Sequence, residues 1–340
     1  KRLVEWITDK NTKEIDAAYL SFSSKNIVTA FCSALKKGTR IRLVLDGSPE
    51  DTNRDAEGLK KCGNIEVTYR GSTGGLGYAH NKILMINPND KKEAKIVFSS
   101  GNMTTGTSIN HENWNFVTTS QASYFAQAHG CVIDAMIEAG DTKKNFKANL
   151  NECRSKIKAE PESDISVYFS PIDGNAALKR VTEAGNNSVQ VEAISHRLSG
   201  AVARMFGGLL KKEIPVKFIL DDDVYWSEKL KQDVGRNTKI EAFRIYNDLI
   251  SKGMNTRFLQ TNQKIYQLQH NKFMIFTFEK NGAVFTGAGN MTSAAFTKNF
   301  ENFYYITIPE VVEAYNKQYD LYFDKMATTA EEMPRDYVLP

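Results

Sequence analysis

The 340-residue chain is 41% hydrophobic and 11% aromatic, enough apolar material for a sizeable core and more length than one ordinary domain uses, which excludes a disordered chain. Its 44 basic and 40 acidic residues leave +4 at pH 7, too little over this length to mark a nucleic-acid binder by charge alone. No apolar run approaches the roughly 20 residues of a bilayer-spanning helix, and transient contact with a membrane surface is compatible with this composition.

In chain order, "IDAAYLSF" (15–22), "NIVTAFCSALKKG" (26–38) and "RIRLVLD" (40–46) predict a strand, an amphipathic helix closed by Gly38, and a strand. "EGLKKCGNIEVTYR" (57–70) adds a helix and a strand, and "YAHNKILMI" (78–86) a further strand headed by His80 and Lys82. "GDTKKNFKANLNECRSKIKAEPESD" (140–164) is polar and charged and reads as a linker, which places a boundary near 160 and gives domains 1–160 and 161–340. Apolar patterning resumes at "VYFSPID" (167–173). Then "SVQVEAI" (188–194), "GAVARMFGGLLKKE" (200–213), "PVKFILD" (215–221) and "EAFRIYNDLISKGMNTRFL" (241–259) repeat the first order of elements, with Asp221 equivalent to Asp46. Strands alternating with helices predict an α/β fold in two tandem lobes, each a mostly parallel sheet flanked by helices.

Cys32, Cys62, Cys131 and Cys153 lie outside these patterns, at spacings that fit no zinc site. Disulfides Cys32–Cys62 and Cys131–Cys153 would suit an exported protein, four buried thiols a cytoplasmic one. The sequence opens on Lys1 rather than Met, and export to a periplasm or the exterior, after loss of a signal peptide, is the expectation set against the cytoplasm.

The repeat is sharpest in its polar residues. "AHNKILMI" (79–86) returns as "QHNKFMIF" (269–276), matching His80 to His270 and Lys82 to Lys272. "SSGNMTTG" (99–106) returns as "GAGNMTSA" (287–294), with Asn102 lying 22 residues after its histidine and Asn290 20 after its own. "HENWNFV" (111–117) returns as "FENFYYI" (300–306), carrying Glu112 and Glu301. Three motifs in order at nearly equal spacing mark a duplication, and a pseudo-twofold axis would bring the two polar sets into one site.

On a strand, residues two apart share a face, so each His-x-Lys pair points one way. Two such pairs joined across an axis form a compact cationic pocket that suits a phosphodiester. Lysine ammonium groups and the Asn102 and Asn290 amides would stabilise the non-bridging oxygens. One imidazole would attack phosphorus while the other gives its proton to the leaving oxygen, a route that needs neither metal nor cofactor. His111 and His129 read as packing residues. His196, at a strand end where the first half has Ser23, and Arg197 are rim candidates, with Arg70, Tyr78 and Tyr266 on the approaches to the histidines.

"HNKILMIN" followed by "SSGNMT", repeated as "HNKFMIFT" followed by "GAGNMT", resembles the phospholipase D superfamily, whose motif is His-x-Lys-x4-Asp followed by a Gly-x-Asn element. The match extends over nearly the whole chain. The resemblance implies catalysis by His80, Lys82, Asn102, His270, Lys272 and Asn290, with His80 as nucleophile and His270 as general acid. It also implies that Glu112 and Glu301 each bond the opposite lobe's histidine, and "VYFSPID" resembles a segment that often precedes the second repeat. Where the family has aspartate this chain has Asn87 and Thr277. Tyrosyl-DNA phosphodiesterases, in the same superfamily, also lack that aspartate, so activity is the expectation.

The expected function is a metal-independent phosphodiester hydrolase working through a phosphohistidine, acting first on glycerophospholipids. A nuclease cleaving DNA or RNA is the alternative, and a catalytically degenerate binder of phosphorylated ligands the third reading. Since one chain holds both half-sites, a monomer is expected.

Overall fold

The computed structural model describes residues 1–48, 50–71, 77–90, 92–140, 142–223, 241–261 and 267–332. Two sheets carry the strands. In the first, β1 (Glu14–Tyr19), β2 (Arg40–Asp46), β3 (Ile65–Arg70), β4 (Lys82–Ile86), β5 (Glu93–Ser99) and β6 (Trp114–Ser120) lie in the order β3-β2-β1-β4-β5-β6. In the second, β7 (Ile165–Ser170), β8 (Gln190–Ser195), β9 (Val216–Asp221), β10 (Asn255–Leu259), β11 (Lys272–Thr277), β12 (Gly282–Gly287), β13 (Glu301–Ile306) and β14 (Ala327–Thr328) lie in the order β14-β10-β9-β8-β11-β12-β13-β7.

The α/β class and the paired lobes stand as expected, but the sheets are mixed rather than mostly parallel. Helices α2 (Lys25–Lys36) and α3 (Glu50–Gly58) provide the crossovers that make β1, β2 and β3 parallel. Residues 87–92 between β4 and β5 are too few for a crossover, so that pair is antiparallel, as are β1·β4 and β5·β6. The second lobe repeats this, with β8, β9 and β10 parallel and β11, β12 and β13 antiparallel. Strands β4 and β11 are central and almost wholly buried, which explains their unbroken apolar runs.

The stretch 140–164 is not a plain linker. It contains α5 (Lys143–Ser155), whose Phe146 and Leu150, four apart and fully buried, seat it beside α4 (Tyr124–Glu138). A Cys131–Cys153 disulfide joins the two helices, and a Cys32–Cys62 disulfide ties α2 to the turn before β3. The polar composition of α5 hid a stripe only two side chains wide.

One hydrophobic cluster draws on both lobes, joining Phe98, Phe125 and Val132 to Phe169, Phe300 and Tyr304. The Phe98 and Tyr304 rings stack with centroids 3.7 Å apart. His129 is buried there as the sequence suggested, its Nδ1 2.7 Å from the Phe125 carbonyl and its Nε2 2.8 Å from the Tyr304 hydroxyl.

Candidate active site

Each histidine is first placed by its backbone. His80 N–H donates to the Phe300 carbonyl and Phe300 N–H to that of Tyr78, both at 2.9 Å. In the other half His270 N–H donates to the His111 carbonyl and His111 N–H to that of Leu268, again at 2.9 Å. Asp46 and Asp221, at the ends of β2 and β9, accept at 2.5 Å from the N–H of Ala79 and Gln269, the residue just before each histidine. The segment ahead of each histidine is thus pinned to its own lobe by an aspartate and to the other lobe by main chain.

The side chains repeat the crossing. His80 Nδ1 lies 2.7 Å from Glu301 Oε2, and His270 Nδ1 lies 2.8 and 3.0 Å from the Glu112 oxygens. A carboxylate on Nδ1 makes that nitrogen the donor and leaves Nε2 free to attack or to carry a proton. The glutamates are anchored in turn, Glu112 by the Ser100 hydroxyl at 2.6 Å and Glu301 by the Asn299 amide at 3.0 Å. Glu112 can come so close because residue 101 is glycine, where a Cβ would sit 3.1 Å from the Glu112 carboxyl carbon. At the matching Gly289 a Cβ would strike the Phe303 ring at 2.3 Å.

Lys82 and Lys272, at 0% and 1% exposure, fold their ammonium groups back onto the carbonyls of His80 and His270, at 2.9 and 2.6 Å. Burial pushes the Lys82 ammonium down to about 8 and that of Lys272 to about 7, against the raising pull of Glu112 and Glu301. Burial likewise lowers both imidazoles, opposed by the carboxylates they face. Burial works to raise Glu112, but His270 and Lys272 outweigh it and hold the carboxyl below its ordinary range. The resting site therefore combines an ionised Glu112 with imidazoles disposed to stay neutral. An arriving phosphodiester anion would favour the charged lysines and a proton on one imidazole.

Asn102 and Asn290 sit on the loops after β5 and β12, each with Oδ1 buried and without a protein partner among the described residues. Asn290 lines a cavity of about 400 Å³ with His80, Glu301, Tyr78 and Arg197. His196 stands beside the site, ring centroids 6.1 Å from His270. Its counterpart is not Ser23 as the sequence suggested. Tyr19 pairs with Lys82 as Ser195 pairs with Lys272, which sets His196 opposite Leu20. Arg70 is elsewhere, its guanidinium donating to the Met136 and Ile137 carbonyls at the end of α4. Tyr266 lies outside the described residues.

The departures from aspartate have a visible local use at Asn87. Its φ of 52° ends β4, and its Oδ1 accepts from the N–H of Lys13 and Glu14 while its amide donates to the Asn11 carbonyl. Those bonds fasten β1 to β4 far from the histidines. The carbonyl of Thr277 accepts from Val189 N–H at 2.8 Å.

Sequence reasoning missed two pairs. Asn113 and Asn302 accept, through Oδ1, the backbone N–H of Lys272 and Lys82 across the lobes, at 3.3 and 2.8 Å. Asn110 and Asn299 accept the N–H of Leu268 and Tyr78 at 3.0 and 3.2 Å. The signal was a four-residue string, Asn-x-Glu-Asn, at 110–113 and again at 299–302. Among the described residues His196, Asp221 and Asp223 form the only group with metal-ligand geometry, within 4.8 Å of one another, but Asp221 already accepts from the N–H of Gln269 and Asp223 and from the Thr261 hydroxyl.

Residues 7–130 and 154–326 match the family model described as the PLD-like domain of cardiolipin synthase. The chain belongs to the phospholipase D-like family. Among solved structures it resembles phosphatidylserine synthase from Haemophilus influenzae at 11% identity and a TM-score of 0.64, over 96% of this chain and 84% of that one. It also resembles polyphosphate kinase from Porphyromonas gingivalis at 12% identity and a TM-score of 0.61, over 98% of this chain but about half, 48%, of that one. Nuc, a phospholipase D family member from Salmonella typhimurium, aligns at 20% identity and a TM-score of 0.37, over 48% of this chain and 95% of that one. No curated protein matches in sequence. Members of this family transfer or hydrolyse phosphodiesters through a fold like this one.

Proposed function

We propose that the protein is a metal-independent phosphodiesterase of the phospholipase D type, acting on glycerophospholipids through a phosphohistidine. The observation that carries the reading is the crossed pair of His–Glu contacts, His80 with Glu301 and His270 with Glu112, which holds two free Nε2 atoms beside two buried lysines. In the first step Nε2 of one histidine attacks phosphorus, the bond from phosphorus to the leaving oxygen breaks, and the other histidine, protonated, gives that oxygen its proton. In the second, the now neutral histidine takes a proton from water or an alcohol, which displaces the phosphoryl group and regenerates the first imidazole. His80 as attacker and His270 as acid follow the family resemblance. Lys82, Lys272 and the amides of Asn102 and Asn290 would bind the non-bridging oxygens.

The lipid reading draws support from the matched family, that of cardiolipin synthase. No described helix is long and apolar enough to cross a membrane, so lipid would be met at a surface. The two disulfides favour an oxidising, exported setting, and the completion of each half-site by the other lobe favours a monomer. Purified protein in EDTA, offered phosphatidylcholine vesicles, single-stranded DNA, RNA and a chromogenic phosphodiester, should cleave the lipid and the chromogenic ester. Cleavage of nucleic acid alone would replace the substrate with a nuclease's. Equal silence of wild type and His80→Ala on every substrate would remove the enzyme reading.

A further inference from the structure

The pseudo-twofold relation allows each half-site to be compared with its twin, and one of the differences places a joined polar pair in a single lobe. Phe22 bridges Met103 as Leu198 bridges Met291, so Leu20 and Ser21 in the first lobe correspond to His196 and Arg197 in the second. Ser48 N–H donates to Asp46 Oδ1 at 2.8 Å, and Asp223 N–H donates to Asp221 Oδ1 at 2.9 Å, so Ser48 corresponds to Asp223. A leucine and a serine in one lobe have become a histidine and an aspartate in the other. The new pair is joined, with His196 Nε2 at 3.2 and 3.1 Å from the two Asp223 oxygens.

That contact decides what His196 offers. Although burial works against it, the His196 hydrogen bond and the Arg197 guanidinium hold the Asp223 carboxyl down to about 2, so an ionised carboxylate faces Nε2. Nε2 then carries the proton and Nδ1 is an acceptor, with no protein partner among the described residues. Beside it Arg197, whose side chain is 44% exposed, lines the cavity that holds His80 and Asn290. Asp223, 3.6 Å from Arg197, neutralises that cation, so the group as a whole is close to uncharged and does not favour a second phosphate. An acceptor next to a planar donor, with little net charge, suits a hydroxyl.

We propose that His196 and Arg197 form a hydroxyl-recognition subsite for the alcohol part of the substrate, a polyol head group of the glycerol class, with Asp223 as the residue that positions His196. This rests on the phosphodiesterase reading above and adds the alcohol to it. Nδ1 of His196 accepts from a hydroxyl near the scissile ester, and Arg197 donates to the same or a neighbouring oxygen.

The test compares phosphatidylglycerol with phosphatidylpropanol in otherwise identical vesicles, with bis(p-nitrophenyl) phosphate as the common reference. Wild-type protein should prefer the glycerol head group by about tenfold or more, since a site built around a hydroxyl leaves its polar groups unpaired on the deoxy analogue. His196→Leu, the twin lobe's own residue, should bring the ratio near one, and Asp223→Asn should reduce it with His196 still present. Arg197→Gln, at a half-exposed position, gives the same reading where a buried change upsets folding. Turnover of both lipids without preference in wild type, or an undiminished preference in His196→Leu, would overturn the subsite. A preference for a ribodinucleotide over its deoxy form, without lipid turnover, would overturn the glycerol assignment in favour of ribose. Loss of the preference on chelation would assign His196 and Asp223 to a cation. If even the reference ester is untouched, the phosphodiesterase reading fails and the subsite with it.

Discussion

At the scale of single residues the site is defined by which atoms are occupied. Nδ1 of each histidine faces a carboxylate from the other lobe, so Nε2 is the nitrogen left open, and on the proposed mechanism His80→Ala and His270→Ala should each lower kcat by about 10³-fold or more in a continuous assay with the chromogenic ester. Glu301→Gln keeps an acceptor but removes the charge that steadies an imidazolium. It should cost at least about tenfold in kcat and shift the pH profile, while thermal melting stays near wild type. Burial lowers Lys272 to about 7 and Lys82 to about 8, so both hold their protons below that window and lose them above it. The kcat/KM for a phosphodiester, which stays a monoanion, should therefore fall as pH rises through 7 to 8. A profile still climbing past pH 9 would deny the lysines their part. The His-x-Lys pairs and both asparagines could be read from sequence because they recur in both copies of the repeat. Asn110, Asn113, Asn299 and Asn302 escaped notice because their contacts are to backbone N–H groups in the other lobe, where one-dimensional spacing carries no trace of the partner.

At the scale of elements, β4 and β11 are central strands whose apolar runs place the His-x-Lys heads at a sheet end, and the short connections after them force antiparallel pairing. Spacing alone showed strand, helix and strand within three residues of the observed bounds of β1, α2 and β2, and of β8, the helix Gly200–Lys211 and β9. It missed α5, because a helix of mostly polar residues is revealed only by what Phe146 and Leu150 pack against. Asn87 belongs to this scale. Its bonds hold β1 to β4 rather than touching the histidines, so Asn87→Ala should lower unfolding free energy by about 1–3 kcal/mol, measured by urea denaturation, and leave kcat unchanged. The Cys32–Cys62 bond closes a separation of 30 residues, and Cys32→Ser with Cys62→Ser should cost about 3 kcal/mol by the same measurement.

At the scale of the whole molecule the two lobes share a site and a core. Phe98, Phe125 and His129 of the first lobe pack around Tyr304 of the second, so the lobes should unfold together in one calorimetric transition. Burial pushes His129 down to about 4, so the folded protein keeps it neutral where the unfolded chain would protonate it. Its contribution is complete above pH 6.5 and is lost as pH falls towards 4, a drop of about 3 kcal/mol in unfolding free energy. His129→Gln should flatten that part of the curve. The duplication, the α/β class, the family and the candidate site residues were legible in the sequence itself, because periodicity and a doubled polar motif are local properties of the chain. Only the tertiary structure decided that Asn110, Asn113, Asn299 and Asn302 hold the other lobe's backbone, that Asn87 is a strand fastener, and that His196 and Asp223 break the symmetry of the site. Those facts depend on contacts between residues 27 to 221 positions apart, and only the folding of each lobe and the packing of one against the other brings such residues within hydrogen-bonding reach.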